Sequence, residues 1–257
     1  MPAQTDHPCF VQPSARDVPI WRYMDFAKLV SLLQSKGLHF ARLDQFADPF
    51  EGSISRAEYE YWQQIALEGE RDGTIPLEWR GSYFNILMGN ARRARQCNYV
   101  SCWHANNDES DAMWKLYSSS GFAVAIRSSY QRLVQAIPDK EYTGCFAGEV
   151  QYSDHHHDEL PRGNIFYPVM NKRRAFAHER EIRAVVWTGD PGPNGESDVA
   201  ANPIGLSVGV DLSQLVESVF VSPTAPSWFA DAVRGVVKVY EPELPVAHSE
   251  LSRTPYI

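Results

Sequence analysis

The stretch PIWRYMDFAKLVSLLQSKGLHFARL, residues 19–43, constrains the fold more than any other part of the chain. PIWRYM and LHFARL read as strands. Between them Asp25 is a candidate N-cap, Phe26, Leu29, Val30 and Leu33 recur at helical spacing, and Gly37 marks a stop. A strand–helix–strand opening needs an amphipathic helix laid on a sheet. The same alternation continues: CNYVSCWH is a strand, SDAMWKLYSSSG a capped helix ending at Gly121, and FAVAIR a buried strand.

The other elements follow from the same patterning. DQFADPFEG is a turn-rich connection, and residues from about 55 to 96 look helical with a break at TIP. Helices are expected near 129–137 and 166–177, and strands near 145–152 and over EIRAVVW. TGDPGPNGESD is a loop by composition. The last third alternates strand, turn, strand and helix, with Pro226 suited to the first turn of the final helix. Residues 1–17 are polar and proline-rich and form an irregular lead-in. With neither an internal repeat nor a linker, 18–257 is expected to be one α+β domain.

Composition narrows the partners. Lys and Arg number 24 against 32 Asp and Glu, a formal charge of −8, so the surface as a whole is not a nucleic-acid-binding face. ARRAR (Arg92, Arg93, Arg95) and NKRRAF (Lys172, Arg173, Arg174) are local exceptions, read either as phosphate contacts or as solvated faces. Four scattered cysteines without a CxxC pair suit reduced thiols, and no stretch is apolar enough to span a bilayer. With no signal-peptide pattern at the start, a cytoplasmic location is expected. GxGxxG, GxxxxGK[ST] and HExxH are absent, which removes the usual sequence support for dehydrogenases, P-loop NTPases and zinc proteases. The run HHH at 155–157 reads as incidental surface histidines, because adjacent loop residues cannot all face one ion.

One pair of residues asks for a reason. In HEREIRAVVW, Glu179 and Glu181 stand two apart at the mouth of a strand, where an extended backbone points both carboxylates to one side. Like charges so placed raise each other's proton affinity. Structurally, Arg180 and Arg183 neutralise them in a strand-edge ion network, although exposed pairs contribute only about 0–1 kcal/mol.

The ordered blocks WRYMD, LHFARLDQFADPFEG, YVSCWH, DAMWKLYSSSGFAVAIR, HEREIRAVVW and VFVSPTAP resemble a widespread bacterial family, domain of unknown function 2971, from about residue 19 to the C-terminus. More distantly, their order is similar to the ADP-ribosyltransferase fold in its arginine–serine–glutamate form. In that fold a first-strand arginine, a middle-strand serine and a Glu-x-Glu element surround NAD. The matching positions here are Arg22, Ser101, and Glu179 with Glu181; the middle motif is VSC rather than Ser-Thr-Ser. The resemblance implies an α+β domain with a central, mostly antiparallel split sheet flanked by helices. It also implies NAD as cofactor, transfer of ADP-ribose to a macromolecular acceptor, and a toxin or defence context.

Under this reading Glu181 stabilises positive charge developing at the ribose carbon. Glu179 orients or deprotonates the nucleophile, and Arg22 grips the pyrophosphate as a bidentate fork. Ser101 bonds a cofactor hydroxyl or steadies Glu181. Tyr23 flanks Arg22, and Trp103, Trp114 and Tyr117 offer flat faces for nicotinamide or adenine, although Met113, Trp114 and Tyr117 also fall at helical core spacing. Asp48 and Glu51 contact substrate or shape their turn, and Arg22 has an alternative role as their ion-pair partner. Two other functions remain open from sequence: a non-catalytic nucleic-acid- or protein-binding module, and a magnesium-dependent hydrolase or nuclease using Asp48, Glu51, Glu179 and Glu181.

Overall fold

Nine strands of the computed structural model, which describes residues 3–117, 121–137, 144–189 and 202–255, join in one mixed, mostly antiparallel sheet. The chain runs β1 (Pro19–Asp25), α1 (Phe26–Ser35), β2 (Gly37–Arg42), α2 (Arg56–Asp72), α3 (Tyr83–Cys97), β3 (Asn98–Ala105), α4 (Asp111–Tyr117), β4 (Ala123–Ser129) and α5 (Tyr130–Ala136). It continues through β5 (Gly144–Glu149), β6 (Gln151–Ser153), α6 (Phe166–Val169), β7 (Asn171–Arg173), β8 (Glu181–Trp187) and β9 (Gly205–Gly209). α7 (Leu212–Leu215), β10 (Ser218–Val221), α8 (Ser227–Tyr240) and β11 (Val246–His248) complete it. This is an α+β fold. β6 and β7 pair separately, in parallel.

The sheet forks at β3. Along one edge β3 pairs with β8 from Asn98 to His104, and β5 lies beyond β8. Along the other edge two arms share it. β1 reaches it only through Ile20↔Ala105 and Trp21↔His104, and leads on to β4, β10 and β11. β2 reaches it only through Ala41↔Val100 and Arg42↔Tyr99, and leads on to β9. Residues 101–103 therefore have a strand partner on the β8 side and none in either arm. That gap positions the site.

Alternation along β3 and β8 sorts side chains onto two faces. Tyr99, Trp103, Ile182, Ala184 and Val186 join the main core, with Leu29 and Leu33 of α1, Leu133 of α5 and Val233 of α8. Each such fully buried aliphatic contributes about 1.5–3 kcal/mol. The opposite face holds two smaller clusters, one around Val100, Phe146, Phe166 and Val185, the other around Trp21, Tyr23, Met113 and Trp114. Cys102, His104, Glu181 and Arg183 point to this second face.

Local sequence explains most element boundaries. Asp25 caps α1 by accepting from the Lys28 amide. The stop falls one residue earlier than Gly37: Lys36 takes the left-handed conformation at φ 50°, and Gly37 already belongs to β2. Gly37 serves close approach instead, because a Cβ there would stand 2.1 Å from Ser207 Oγ on β9. Pro226 sits at the N-cap of α8 rather than in its first turn. The helix expected at 166–177 is three short pieces, α6, β7 and a 3-10 turn over Arg174–Glu179, because β7 pairs with β6 and Asn171 bonds Ser153. The single strand near 145–152 is likewise two, β5 and β6. Residues 3–17 form no helix or extended strand but are anchored, with Gln4 bridging Phe146 and Val11 bridging Glu149. Most of the TGDPGPNGESD loop lies outside the described residues, as do Ser118–Ser120 at the end of SDAMWKLYSSSG.

Candidate functional site

Where β1 leaves β3, the guanidinium of Arg22 spans the gap. Its Nη1 donates to Ser101 Oγ on β3 at 2.7 Å, and its Nη2 to the His39 carbonyl on β2 at 3.0 Å. Trp103 supports it from below: the ring centroid is 5.8 Å from Arg22 Cζ, and Nε1 donates to the same Ser101 Oγ at 3.2 Å. Arg22 pairs with neither Asp48 nor Glu51. The serine is wholly buried, so its work is to hold the arginine.

Glu181 begins β8 beside the same gap. Its Oε1 accepts from Arg183 Nε at 2.6 Å, its Oε2 from Lys172 Nζ at 3.1 Å, and its backbone amide donates to Tyr152 at 2.8 Å. Lys172 Nζ also meets Glu179 Oε2 at 2.5 Å and Glu51 Oε1 at 3.2 Å, while Arg183 Nη2 reaches Glu51 Oε2 at 2.7 Å. Two cations thus face three carboxylates in a buried network, leaving one net negative charge. Glu179 is not on the strand; it ends the 3-10 turn, and Arg180 at φ 40° turns the chain so that both carboxylates converge on Lys172.

This arrangement reverses the expected acidity. Burial opposes the charged form of Glu181, but Arg183 and then Lys172, with hydrogen bonds from Arg183 and Cys102, hold its pKa down at about 2. The neutralising partner is Lys172 with Arg183, not Arg180, which is exposed and bonds Asn106. Burial, then the Glu181 charge, keeps the Cys102 thiol protonated. The carboxylate beside it is a fixed anion and too weak a base to take a proton.

A better base lies next to it. His104, opposite Glu181 in the β3–β8 register, is 4% exposed. Its Nδ1 lies 2.6 Å from the Glu179 carbonyl, which can only accept, so Nδ1 carries the proton. Burial lowers its pKa and favours the neutral ring, and Nε2 is left as a buried lone pair without a partner among the described residues. Sequence reading passed over His104 because nothing local marks a strand histidine as tautomer-fixed. Arg183 pairs with Glu181 as expected, but its burial and that of Lys172 have no local signal, since a basic run and a strand arginine look alike whether buried or exposed.

These groups open into one cavity of about 550 Å³ in the fork. Arg22, Lys28, His39, His104, Glu179 and Glu181 line it, with Tyr23, Phe46, Trp103 and Tyr117 as aromatic wall. Arg22 holds the Ser101 side of β3 while Glu181 lies on the Cys102 side. The cavity touches both because the open edge of β3 joins the two faces.

Other expected residues stand elsewhere. Trp114 is buried against Tyr23, with ring centroids 4.9 Å apart, and its Nε1 donates to Glu109, so it offers no stacking face. Asp48 is held in a fork by Arg173, and Glu51 is 2% exposed beneath the network; neither is available to a substrate. In the second basic cluster Lys172 is buried, while Arg173 and Arg174 are paired with Asp48 and Asp158 and Arg174 stays exposed; Arg92 and Arg93 of the first are exposed. His155 is buried against Phe50 rather than on the surface, whereas His156 and His157 are exposed. Among the described residues no group of three or more His, Cys, Asp or Glu is placed to hold a metal ion. No helix there is long and apolar enough to cross a membrane.

Comparison with protein-family models, with curated proteins and with solved structures gave no match.

Proposed function

We propose that the fork cavity binds NAD and that the protein transfers ADP-ribose from it to a nucleophilic acceptor. One observation carries this reading: a single cavity lined both by a guanidinium and by a buried carboxylate that Arg183 and Lys172 hold ionised. NAD has the matching polarity, an anionic pyrophosphate and a cationic nicotinamide ring. A volume of about 550 Å³ lies within the roughly 300–1,000 Å³ usual for small-molecule sites.

The chain's own groups divide the work. Arg22, held by Ser101 and the His39 carbonyl, offers a planar fork to phosphate oxygens, with Lys28 adding charge nearby. NAD supplies a ribose whose bond to nicotinamide breaks with the electron pair leaving on the ring nitrogen. Glu181 stabilises the positive charge that develops on the sugar, and Arg183 and Lys172 fix that anion without reorganisation. The acceptor's lone pair closes the new bond to the sugar carbon, and its proton passes to His104 Nε2, which is covered in this structure and is reached as the acceptor displaces the side chains over it. Glu179, half-buried beside Lys172, orients the acceptor.

The test is nicotinamide release and transfer of labelled ADP-ribose with purified protein and a lysate as acceptor source. Wild type releases nicotinamide, while Arg22→Lys and Glu181→Gln fall by at least about tenfold with unchanged circular dichroism. Equal release by all three proteins, or no NAD binding by titration calorimetry, overturns the reading.

A further inference from the structure

A second cavity, of about 370 Å³, lies between α2, α3 and the segment around Gly163–Val169, and shares no lining residue with the fork. Its walls are mainly apolar, with Trp62, Leu87, Met88 and Ile165 among them. Two buried polar atoms of residues that line it lack partners among the described residues. Glu58 is 8% exposed; its Oε1 accepts from Trp62 Nε1 at 3.2 Å, and its Oε2 has no hydrogen-bond partner among the described residues. Arg95 Nε is also buried without one.

The position of Glu58 makes this more than a packing defect. Ser55 caps α2 by accepting from the Glu58 amide, and a glutamate three residues after such a cap ordinarily reaches back to the cap's own amide. Here the side chain turns into the cavity instead. Burial raises the Glu58 pKa against the Trp62 hydrogen bond and then the Arg162 charge, and Oε2 is left without a hydrogen-bonding complement. An aliphatic chain would leave both polar atoms unpaired and desolvated. A metal ion would find one carboxylate and a neighbouring guanidinium. The volume is near the lower end for ligand sites, too small for a dinucleotide.

We propose that this cavity is a binding site for a single heteroaromatic ring system of nucleobase size, carrying an N–H donor for Glu58 and a lone-pair acceptor for Arg95. Its apolar body lies against the Trp62 indole and the aliphatic wall.

The test is titration calorimetry with ligand-observed NMR on the full chain, using adenine, hypoxanthine and cytosine as probes and indole as a ring with a donor but no lone-pair acceptor. At least one base binds saturably and about tenfold tighter than indole, and Glu58→Gln removes about that factor. Leu87→Trp, which fills the cavity with apolar volume, abolishes base binding and leaves NAD binding in the fork unchanged. It also serves if Glu58→Gln does not fold. Failure of every base to saturate, equal binding of indole, or base binding that survives Leu87→Trp overturns the proposal.

Discussion

Lys172 Nζ lies 3.1 Å from Glu181 Oε2, and each side chain is less than a tenth exposed. The lysine comes from a basic run and the glutamate from the mouth of a strand. Their meeting, with Arg183 and Glu51, is what turns two adjacent carboxylates from a liability into a fixed negative charge.

Removing the lysine leaves three carboxylates around one guanidinium. Lys172→Met is expected to destabilise the fold by about 3–5 kcal/mol, since an uncompensated buried charge remains. Urea unfolding followed by circular dichroism measures this. A loss under about 1 kcal/mol would show that water reaches the network and screens it.

Acid should weaken the fold through Glu181. Its folded pKa of about 2 lies below the ordinary glutamate value, so its stabilisation is complete above that ordinary value. The contribution, on the order of 3 kcal/mol, is lost as the pH falls from about 4.5 towards 2. Thermal denaturation across this range should fall more steeply for wild type than for Glu181→Gln.

His104 sets the pH dependence expected of transfer. Only the neutral ring accepts a proton, and burial lowers its pKa from the ordinary histidine value. The acid limb of transfer is therefore expected at a lower pH than an ordinary histidine would give. His104→Gln should lower kcat by about 10²–10⁴-fold with little change in KM for NAD, and abolish the acid limb.

Ser101→Ala tests a positioning role. The alanine cannot accept from Arg22 Nη1, so NAD affinity should drop by about three- to tenfold while folding is preserved, consistent with one lost hydrogen bond. Calorimetric titration reads it. A loss as large as that of Arg22→Lys would mean the serine touches ligand itself.

Gly148 should be irreplaceable for the N-terminal segment. A Cβ there would stand 2.9 Å from the Val11 carbonyl, with backbone atoms of Phe10 close behind. Gly148→Ala is expected to loosen residues 3–17 and expose them to limited proteolysis, at a cost of about 1–3 kcal/mol.

Much of the order of elements was legible locally. The Asp25 cap, the strands at 19–25, 98–105 and 181–187, and the helix at 26–35 follow from periodicity, caps and β-branched runs, which act over a few residues. The 166–177 region misled the same reasoning, because its helical spacing yields to a strand pairing with β6 that no local pattern announces. Candidate residues divide the same way. Arg22, Tyr23, Trp103, Tyr117, Glu179 and Glu181 line one cavity, while Trp114, Asp48 and Glu51 are engaged elsewhere.

Residue chemistry alone therefore determined which groups this protein has to work with: a strand arginine, a serine on a middle strand, and a carboxylate pair. Tertiary structure decided their states. The fork at β3 opened an edge through which groups on opposite faces share one space. Burial of Lys172 and Arg183 beside Glu181 then set its charge, because electrostatic energies depend on depth and on partners that are remote in the chain.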